Sequence, residues 1–352
     1  MENFNHEFLR ALSNADAIAA NELEIRNVLT KELKEYADEI SYDKMGSIIF
    51  TKKGSKKGPR IMICAHMDEV GFIVNNISPL GQIIVTEIGR VKPLAQFMQK
   101  VRITTDEGNK IEGIVQSTLG ADASAEETYV DIGAYTREDV ENLGIQIGDM
   151  VTYTTEYQTM DLQNLILGKA FDDRLGCYVI GEVLKRLKTI DHPNDVFIVG
   201  TSSEEVGTRG AKTSTYHVNP DIVIVIDVSC GKNEFDRGYK NRRQIGHGMM
   251  LMYHDRTLVP NKKLVRTVKE SIVSLEKEVQ YDMFVRGATD GAETHKNKDG
   301  VPTVITCLPL RYGHCAYSIA HEQDAQDLID ILVDVIKNLD INTYKDIIDF
   351  SK

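Results

Sequence analysis

The chain contains no tryptophan, only eight prolines and 7% aromatic residues. It also has no uninterrupted apolar run approaching the ~18 residues that a membrane-spanning helix needs. Basic residues are in the minority, because 41 Lys and Arg stand against 53 Asp and Glu, which gives a formal net charge of -12. An acidic surface repels phosphates and anionic lipids. We therefore expect neither a nucleic acid nor a membrane as a partner.

Cysteines are few, and their number is odd. Most of the five lie in apolar runs such as Ile61–Ala65, which is typical of free, buried thiols rather than of a disulfide framework. The first residues, Met1–Phe8, carry neither the basic nor the apolar segment of a secretory signal. These features predict a reducing compartment, and we expect a cytoplasmic protein.

With 352 residues, of which 42% are hydrophobic, the chain is long enough for about two globular domains at ~100 to 200 residues each. Helix and strand signals alternate in residues 1–72 and again in 163–352, which predicts an α/β fold. Between them, residues 73–162 consist of short β-type runs broken by Gly, Asn and Asp. We therefore predict a discontinuous catalytic α/β domain (1–72 and 163–352) with an inserted β-rich domain (73–162).

Hydrophobic periodicity predicts the individual elements. The apolar run 60–65 is typical of a central strand that is covered on both faces. Asn21 is the expected N-cap of the second helix. The other predicted elements are helices at 5–12, 20–35, 173–188, 261–278 and 324–338, a hairpin near 42–46, and strands at 195–201, 221–226 and 302–306.

Acids and histidines concentrate where predicted strands end. The carboxyl ends of parallel strands meet at one crevice, so these side chains are expected to lie together. Several carboxylates in one cleft repel each other and are costly to desolvate unless a cation neutralises them. A pair of metal ions is the expected cation. The strings are His66-Met67-Asp68-Glu69, Asp172-Asp173-Arg174, Glu204-Glu205, Ile226-Asp227-Val228 and Arg311-Tyr312-Gly313-His314.

The donor types narrow the choice of metal. Imidazole nitrogens and carboxylate oxygens, with no Cys in the strings, favour Zn²⁺, Co²⁺ or Mn²⁺. Two such ions need one carboxylate able to bridge, plus a His and a further carboxylate for each ion. Glu204, next to a ligand, is free to act as a general base, and Asp68 is placed to accept the second N–H of His66. The candidate ligands are His66, Asp172, Glu205, Asp227 and His314.

Each string also has a purely structural explanation. Asp172-Asp173 fits a helix N-cap pair, Glu204-Glu205 a solvated surface, and Asp227 a turn. A histidine at a strand end is usually structural. The occurrence of all five strings at one edge of a predicted sheet favours the metal site.

Six strings, in this order, resemble those of the glutamyl aminopeptidase and deblocking aminopeptidase family. That family comprises dinuclear metallopeptidases that assemble as tetrahedral dodecamers. The resemblance covers essentially the whole chain. The strings are Ala65-His66-Met67-Asp68-Glu69-Val70-Gly71-Phe72, Lys169-Ala170-Phe171-Asp172-Asp173-Arg174-Leu175-Gly176-Cys177, Ser203-Glu204-Glu205-Val206-Gly207-Thr208-Arg209-Gly210-Ala211, Asp227-Val228-Ser229, Ala288-Thr289-Asp290 and Arg311-Tyr312-Gly313-His314.

The resemblance implies a three-layer αβα zinc-peptidase domain with an inserted small β-barrel-like dimerisation domain. It gives Asp172 the bridging role, Glu204 the role of general base and Asp68 that of supporting His66. Ala288 and Cys315 differ from the residues usual in the family. Neither is a candidate ligand, so the property that these differences affect is substrate specificity.

The implied function is a metal-dependent aminopeptidase that releases N-terminal residues from short peptides through a water activated by two divalent metal ions per subunit (Zn, Co or Mn). Self-association as a homo-oligomer, a tetrahedral dodecamer, is expected. The family name points to acidic substrates, which would require a Lys or Arg in the pocket, and the sequence does not place Arg286, Arg311 or Lys240 there. The alternative is a catalytically inactive metal-binding scaffold of the same fold, which would have lost the base or a ligand.

Overall fold

The computed structural model describes residues 4–55, 58–119, 125–230 and 243–351. Within these ranges the helices follow the periodicity of the sequence, and none is long and apolar enough to cross a membrane. The helices are α1 (His6–Asn14), α2 (Leu23–Leu33), α3 (Arg137–Glu141), α4 (Phe171–Leu187), α5 (Arg209–Val218), α6 (Lys262–Ser274), α7 (Gly291–Thr294), α8 (Glu322–Asn338) and α9 (Ile341–Ile347).

The strands form a central sheet, a closed barrel and a small third sheet. They are β1 (Glu39–Tyr42), β2 (Ile48–Lys52), β3 (Arg60–His66), β4 (Gly71–Ile77), β5 (Ile83–Ile88), β6 (Gln99–Thr104), β7 (Lys110–Leu119), β8 (Ala125–Asp131), β9 (Met150–Tyr153), β10 (Gln158–Thr159), β11 (Leu165–Gly168), β12 (Asp195–Thr201), β13 (Ile222–Cys230), β14 (Met250–Met252), β15 (Gln280–Asp282), β16 (Thr303–Leu310) and β17 (Ser318–His321).

The central sheet has eight strands in the order β1-β2-β12-β3-β13-β16-β14-β15. Its four middle strands, β12, β3, β13 and β16, run parallel to one another. Alternate residues of β3 enter cores on opposite faces, with Ile61 and Ile63 on one side and Met62 and Cys64 on the other. The prediction of a central strand covered on both faces is therefore confirmed.

Helices cover both faces of this sheet. On one face α1, α2, α4, α6 and α8 contribute to a large core, for example through Leu175 of α4 and Leu332 of α8. The opposite face carries α5 and α7, which pack on each other and on the sheet, and Val218 of α5 joins the core there. Burying one such aliphatic side chain completely stabilises the folded state by about 1.5 to 3 kcal/mol relative to leaving it exposed. This arrangement confirms the predicted three-layer α/β architecture.

The β-rich segment closes into a six-stranded antiparallel barrel in the order β4-β5-β8-β7-β6-β9. Its first and last strands pair with each other, with Phe72 opposite Val151, so the chain enters and leaves the barrel at adjacent strands. Phe72, Val101 and Val115 lie in a core of its own. The barrel predicted for the fold is thus present. The assignment of residues 73–162 as an oligomerisation domain stays a prediction.

Two local expectations differ from the structure. The barrel ends at Tyr153, and β10 pairs instead with β11 in the small sheet. The prediction of Asn21 as the N-cap of α2 is wrong, because Glu22 occupies that position. The backbone N–H of Asn21 donates to the carbonyl of Ile18, since the chain makes a turn there before the helix begins.

Candidate active site

The candidate residues converge at the carboxyl edge of the parallel strands. His66 is the last residue of β3, Glu204 and Glu205 follow β12, and Asp227 lies near the end of β13. Asp172 is at the start of α4. His314, in the loop after β16, completes the set. Residues far apart in sequence therefore meet where the topology of a parallel sheet predicts.

Both histidines are oriented by backbone carbonyls. His66 Nδ1 lies 2.9 Å from the carbonyl oxygen of Asp68, and His314 Nδ1 lies 3.0 Å from that of Arg90. With Nδ1–H donating to a carbonyl, Nε2 of each neutral ring is left as a free acceptor. The Nε2 of His66 faces Asp172 Oδ1 at 3.1 Å, and the Nε2 of His314 faces Asp172 Oδ2 at 3.3 Å.

Among the described residues, two groups of side chains have donor atoms close enough to hold a cation. One group is His66, Asp172 and Asp227, and the other is Asp172, Glu205 and His314, with donor atoms in each group within 4.8 Å of one another. Asp172 belongs to both groups and turns a different oxygen towards each histidine. The five residues can therefore hold two cations with a shared carboxylate between them.

The electrostatics of these acids favour a cation. Burial, together with the neighbouring Asp172 carboxylate, raises the pKa of Glu205 to about 7 and raises that of Asp227 well above its usual range. Although burial opposes the charged form of Asp172, the neighbouring rings of His66 and His314 lower its pKa. The buried Oε1 of Glu205 has no hydrogen-bond partner among the described residues. Divalent cations that accept both imidazole nitrogen and carboxylate oxygen fit this donor set.

The Glu204–Glu205 backbone is held by Asp68. Its two carboxylate oxygens accept the backbone N–H groups of Glu204 and Glu205, at 2.9 and 3.1 Å. The Asp68 carboxylate lies 3.7 Å from His66 Nδ1, so the ring is oriented by the Asp68 carbonyl rather than by its side chain. The Glu204 side chain belongs to neither group of donors and lines the adjacent cavity. Its pKa is raised well above the usual value by burial.

The sequence suggested either a helix cap or a metal ligand for Asp172-Asp173, and the first explanation fits Asp173 while the second fits Asp172. Asp173 accepts the backbone N–H of Gly176 at 3.1 Å, which is the hydrogen bond of a helix cap, and also that of His66 at 3.3 Å. Asp172 instead turns towards the two histidines.

A cavity of about 840 Å³ opens at the candidate ligands and contains four arginines, Arg90, Arg243, Arg256 and Arg286. Arg286, a candidate from the sequence, is therefore in the pocket, whereas Arg311 does not line it and Lys240 lies outside the described residues. Sequence reasoning missed the other arginines, because they lie in loops without a recognisable pattern.

One of these arginines is already neutralised. Arg243 is 2.5 Å from the carboxylate of Asp282 and lies over the ring of Phe284. Within the described part of the chain, Arg90, Arg256 and Arg286 form no ion pair.

Comparison with known proteins identifies relatives along most of the chain. The model of the M42 glutamyl aminopeptidase family matches residues 46–331. The protein named "Putative aminopeptidase FrvX" of Escherichia coli (strain K12) is 34% identical, covering 93% of this chain and 94% of its own length. A glutamyl aminopeptidase of Lactococcus lactis subsp. cremoris is 30% identical (96% of each chain). A lysyl aminopeptidase of Pyrococcus furiosus is 29% identical (95% and 97%).

Solved structures share the fold over nearly the full length. A TET aminopeptidase from the marine sediment archaeon Thaumarchaeota archaeon SCGC AB-539-E09 superimposes with a TM-score of 0.92 at 31% identity, covering 97% of this chain and 98% of its own. The Pyrococcus horikoshii TET1 peptidase has a TM-score of 0.83 at 23% identity, with coverages of 95% and 99%. As predicted from its motifs, the chain belongs to the M42 glutamyl aminopeptidase family and is an aminopeptidase, which cleaves peptides at the N-terminus.

Proposed function

We propose that this aminopeptidase depends on two divalent cations per subunit, Zn²⁺, Co²⁺ or Mn²⁺, with Asp172 between them. The supporting observation is that the two oxygens of Asp172 face two different histidines. His66 and Asp227 complete one set of ligands, and Glu205 and His314 complete the other. Cations bound there would supply polarisation of the scissile carbonyl and a lowered pKa for a water molecule.

Glu204 acts as the general base. It lies beside the ligand Glu205 without belonging to either donor group, and its backbone is fixed by Asp68. Burial raises the pKa of its carboxyl group, so the carboxylate accepts a proton more readily than an exposed glutamate does. The same carboxyl group then returns the proton to the departing amine.

The substrate preference is for acidic N-terminal residues. A glutamyl aminopeptidase and a lysyl aminopeptidase match this chain about equally well, so these relatives do not indicate the substrate. The proposed preference depends instead on the arginines of the cavity. Arg256 and Arg286 line the cavity and have no carboxylate partner among the described residues. A guanidinium group pairs well with the carboxylate of a glutamyl or aspartyl side chain.

The chain assembles as a homo-oligomer, a tetrahedral dodecamer, through its barrel. Large apolar side chains on and beside the barrel are more than two-thirds exposed, including Leu80, Leu94, Tyr135 and Ile147. Exposed apolar surface of this kind is commonly covered by a partner. The P. horikoshii TET1 peptidase is described as assembling into a tetrahedron or a large octahedral shell. An enclosed active site would restrict substrates to short peptides.

The competing proposal is an inactive metal-binding scaffold of the same fold. It predicts bound cations without turnover. The presence of Glu204 beside a complete donor set argues against it.

Replacing the base tests the chemistry. Glu204→Gln should keep the bound metal and lower kcat by about 10²- to 10⁴-fold, because the amide cannot accept the proton. Hydrolysis of a panel of aminoacyl p-nitroanilides is measured beside metal content, with Glu278→Gln as an exposed control. Wild-type turnover by Glu204→Gln would refute the assignment of the base. A metal-loaded wild type that hydrolyses neither the panel nor short peptides would favour the scaffold.

Removing two of the three unpaired arginines, Arg256 and Arg286, tests the substrate preference. The double variant Arg256→Met/Arg286→Met should lower kcat/KM for glutamyl and aspartyl substrates by about tenfold or more, since a hydrogen bond to a charged group contributes about 1.5 to 3 kcal/mol. The value for leucyl substrates should change little. Arg311→Met, which removes an arginine outside the cavity, is the matched control. Equal losses on acidic and leucyl substrates would contradict an acidic pocket.

Sedimentation velocity tests the assembly. The wild type is expected to sediment as a particle of twelve chains, and Tyr135→Glu/Ile147→Glu should yield smaller species, because a charge at an apolar interface is costly to bury. The control is Tyr42→Glu, at an exposed position outside the barrel. If the wild type sediments only as a single chain of 39.5 kDa, the assembly proposal is wrong.

A further inference from the structure

Asp16, in the turn between α1 and α2, joins the barrel to the catalytic domain. Its side chain is fully buried. Arg102 of β6 binds it in a bidentate manner through Nε and Nη2, both at 2.7 Å, and Lys110 of β7 and Thr152 of β9 donate at 2.8 and 2.9 Å. One carboxylate outside the barrel therefore holds three barrel strands.

On its other side, Asp16 contacts the segments that carry the candidate metal ligands. The Lys169 ammonium lies 3.1 Å from Asp16, 2.6 Å from the carboxylate of Glu69 and 3.0 Å from the carbonyl of Ala15. Lys169 precedes Asp172 by three residues, and Glu69 follows His66 by three residues. Both Lys169 and Glu69 are buried.

Arg174 extends the same network on the far side of Glu69. Its Nη2 lies 3.4 Å from Glu69, and its Nε donates to the carbonyl of Met67 at 2.8 Å. Met67 is the residue after His66, and Arg174 follows Asp172 by two residues. A continuous set of charged contacts thus runs from the barrel to the backbone on both sides of the metal site.

Such a network responds strongly to the loss of one member. Removing one partner of a buried ion pair leaves an uncompensated charge that the protein must move or solvate. Without Arg102, Asp16 would lose two of its five donors, and Lys169 would remain as its main buried cation. A shift of Lys169 towards Asp16 would weaken its contact with Glu69. The exposed Lys100–Glu112 pair on the same two strands has no further charged partner in the described ranges of the chain.

We propose that Asp16 and Arg102 are positioning residues that couple the seating of the barrel to the geometry of the ligands His66 and Asp172. This inference rests on the proposed two-cation site. Coupling between two sites is reciprocal, so cation binding also favours the seated barrel, and contacts that the barrel makes in an oligomer alter cation affinity. The predicted role is indirect, because neither residue touches the cations or the substrate.

The test uses the full-length, metal-depleted protein titrated with CoCl₂. Binding is followed by equilibrium dialysis and by the visible absorption of Co²⁺, which reports ligand geometry independently of activity. Arg102→Met should raise the Kd of at least one Co²⁺ ion by about 2- to 30-fold, the range typical of a substitution that acts on a site through a network of contacts, and should alter the absorption band. Arg102→Lys should restore part of the affinity.

The matched control is Lys100→Met, which removes a cation from the same strand and should bind Co²⁺ as the wild type does. Wild-type affinity and spectrum in Arg102→Met would overturn the coupling while leaving the proposed function intact. A wild-type protein that binds no Co²⁺ would instead refute the proposed function and the coupling with it. If Arg102→Met does not fold, Lys110→Met removes another partner of Asp16, and wild-type binding by that variant overturns the coupling.

Discussion

Repulsion among buried carboxylates is the constraint on which the catalytic edge of this protein depends. Asp172, Glu204, Glu205 and Asp227 all line one cavity at the carboxyl edge of the central sheet. Burial raises the pKa of three of them, whereas the pKa of Asp172 is lowered by the neighbouring rings of His66 and His314. These four groups can all be ionised at the same time only if positive charge lies between them. The two cations that we propose to lie on either side of Asp172 would supply that charge and, at the same time, the chemistry of peptide hydrolysis.

Two features of the fold bring these acidic side chains and the histidines together. The parallel strands β3, β12 and β13 bring their carboxyl ends to one edge, which places the candidate ligands within reach of each other. Buried charged contacts then fix the loops that follow. Asp68 holds the Glu204–Glu205 backbone, and Lys169 joins Glu69 to Asp16 and hence to the barrel. The position of the barrel and the geometry of the site are therefore parts of one arrangement.

The sequence predicted the part of this arrangement that follows from topology. His66 and Asp227 were predicted as ligands because each directly follows an apolar run, and the order of the strings indicated the family. The buried network was missed because Asp16 lies in a short turn without a motif, and its partners Arg102 and Thr152 are 86 and 136 residues away. The arginines of the cavity were missed for a similar reason. The sequence also did not predict which group orients His66. It is the backbone carbonyl of Asp68 rather than the Asp68 carboxylate.

The most direct test of the central claim is the thermal unfolding temperature of the metal-depleted wild type at neutral pH, measured while Zn²⁺ is added in known ratio to the chain. A ligand that binds only the folded state stabilises it. We expect the unfolding temperature to rise steeply until two equivalents of Zn²⁺ have been added per chain, and then only slowly, with the logarithm of the free Zn²⁺ concentration. An unfolding temperature that does not respond to Zn²⁺, or that stops rising after one ion, would contradict a carboxylate cluster held together by two cations.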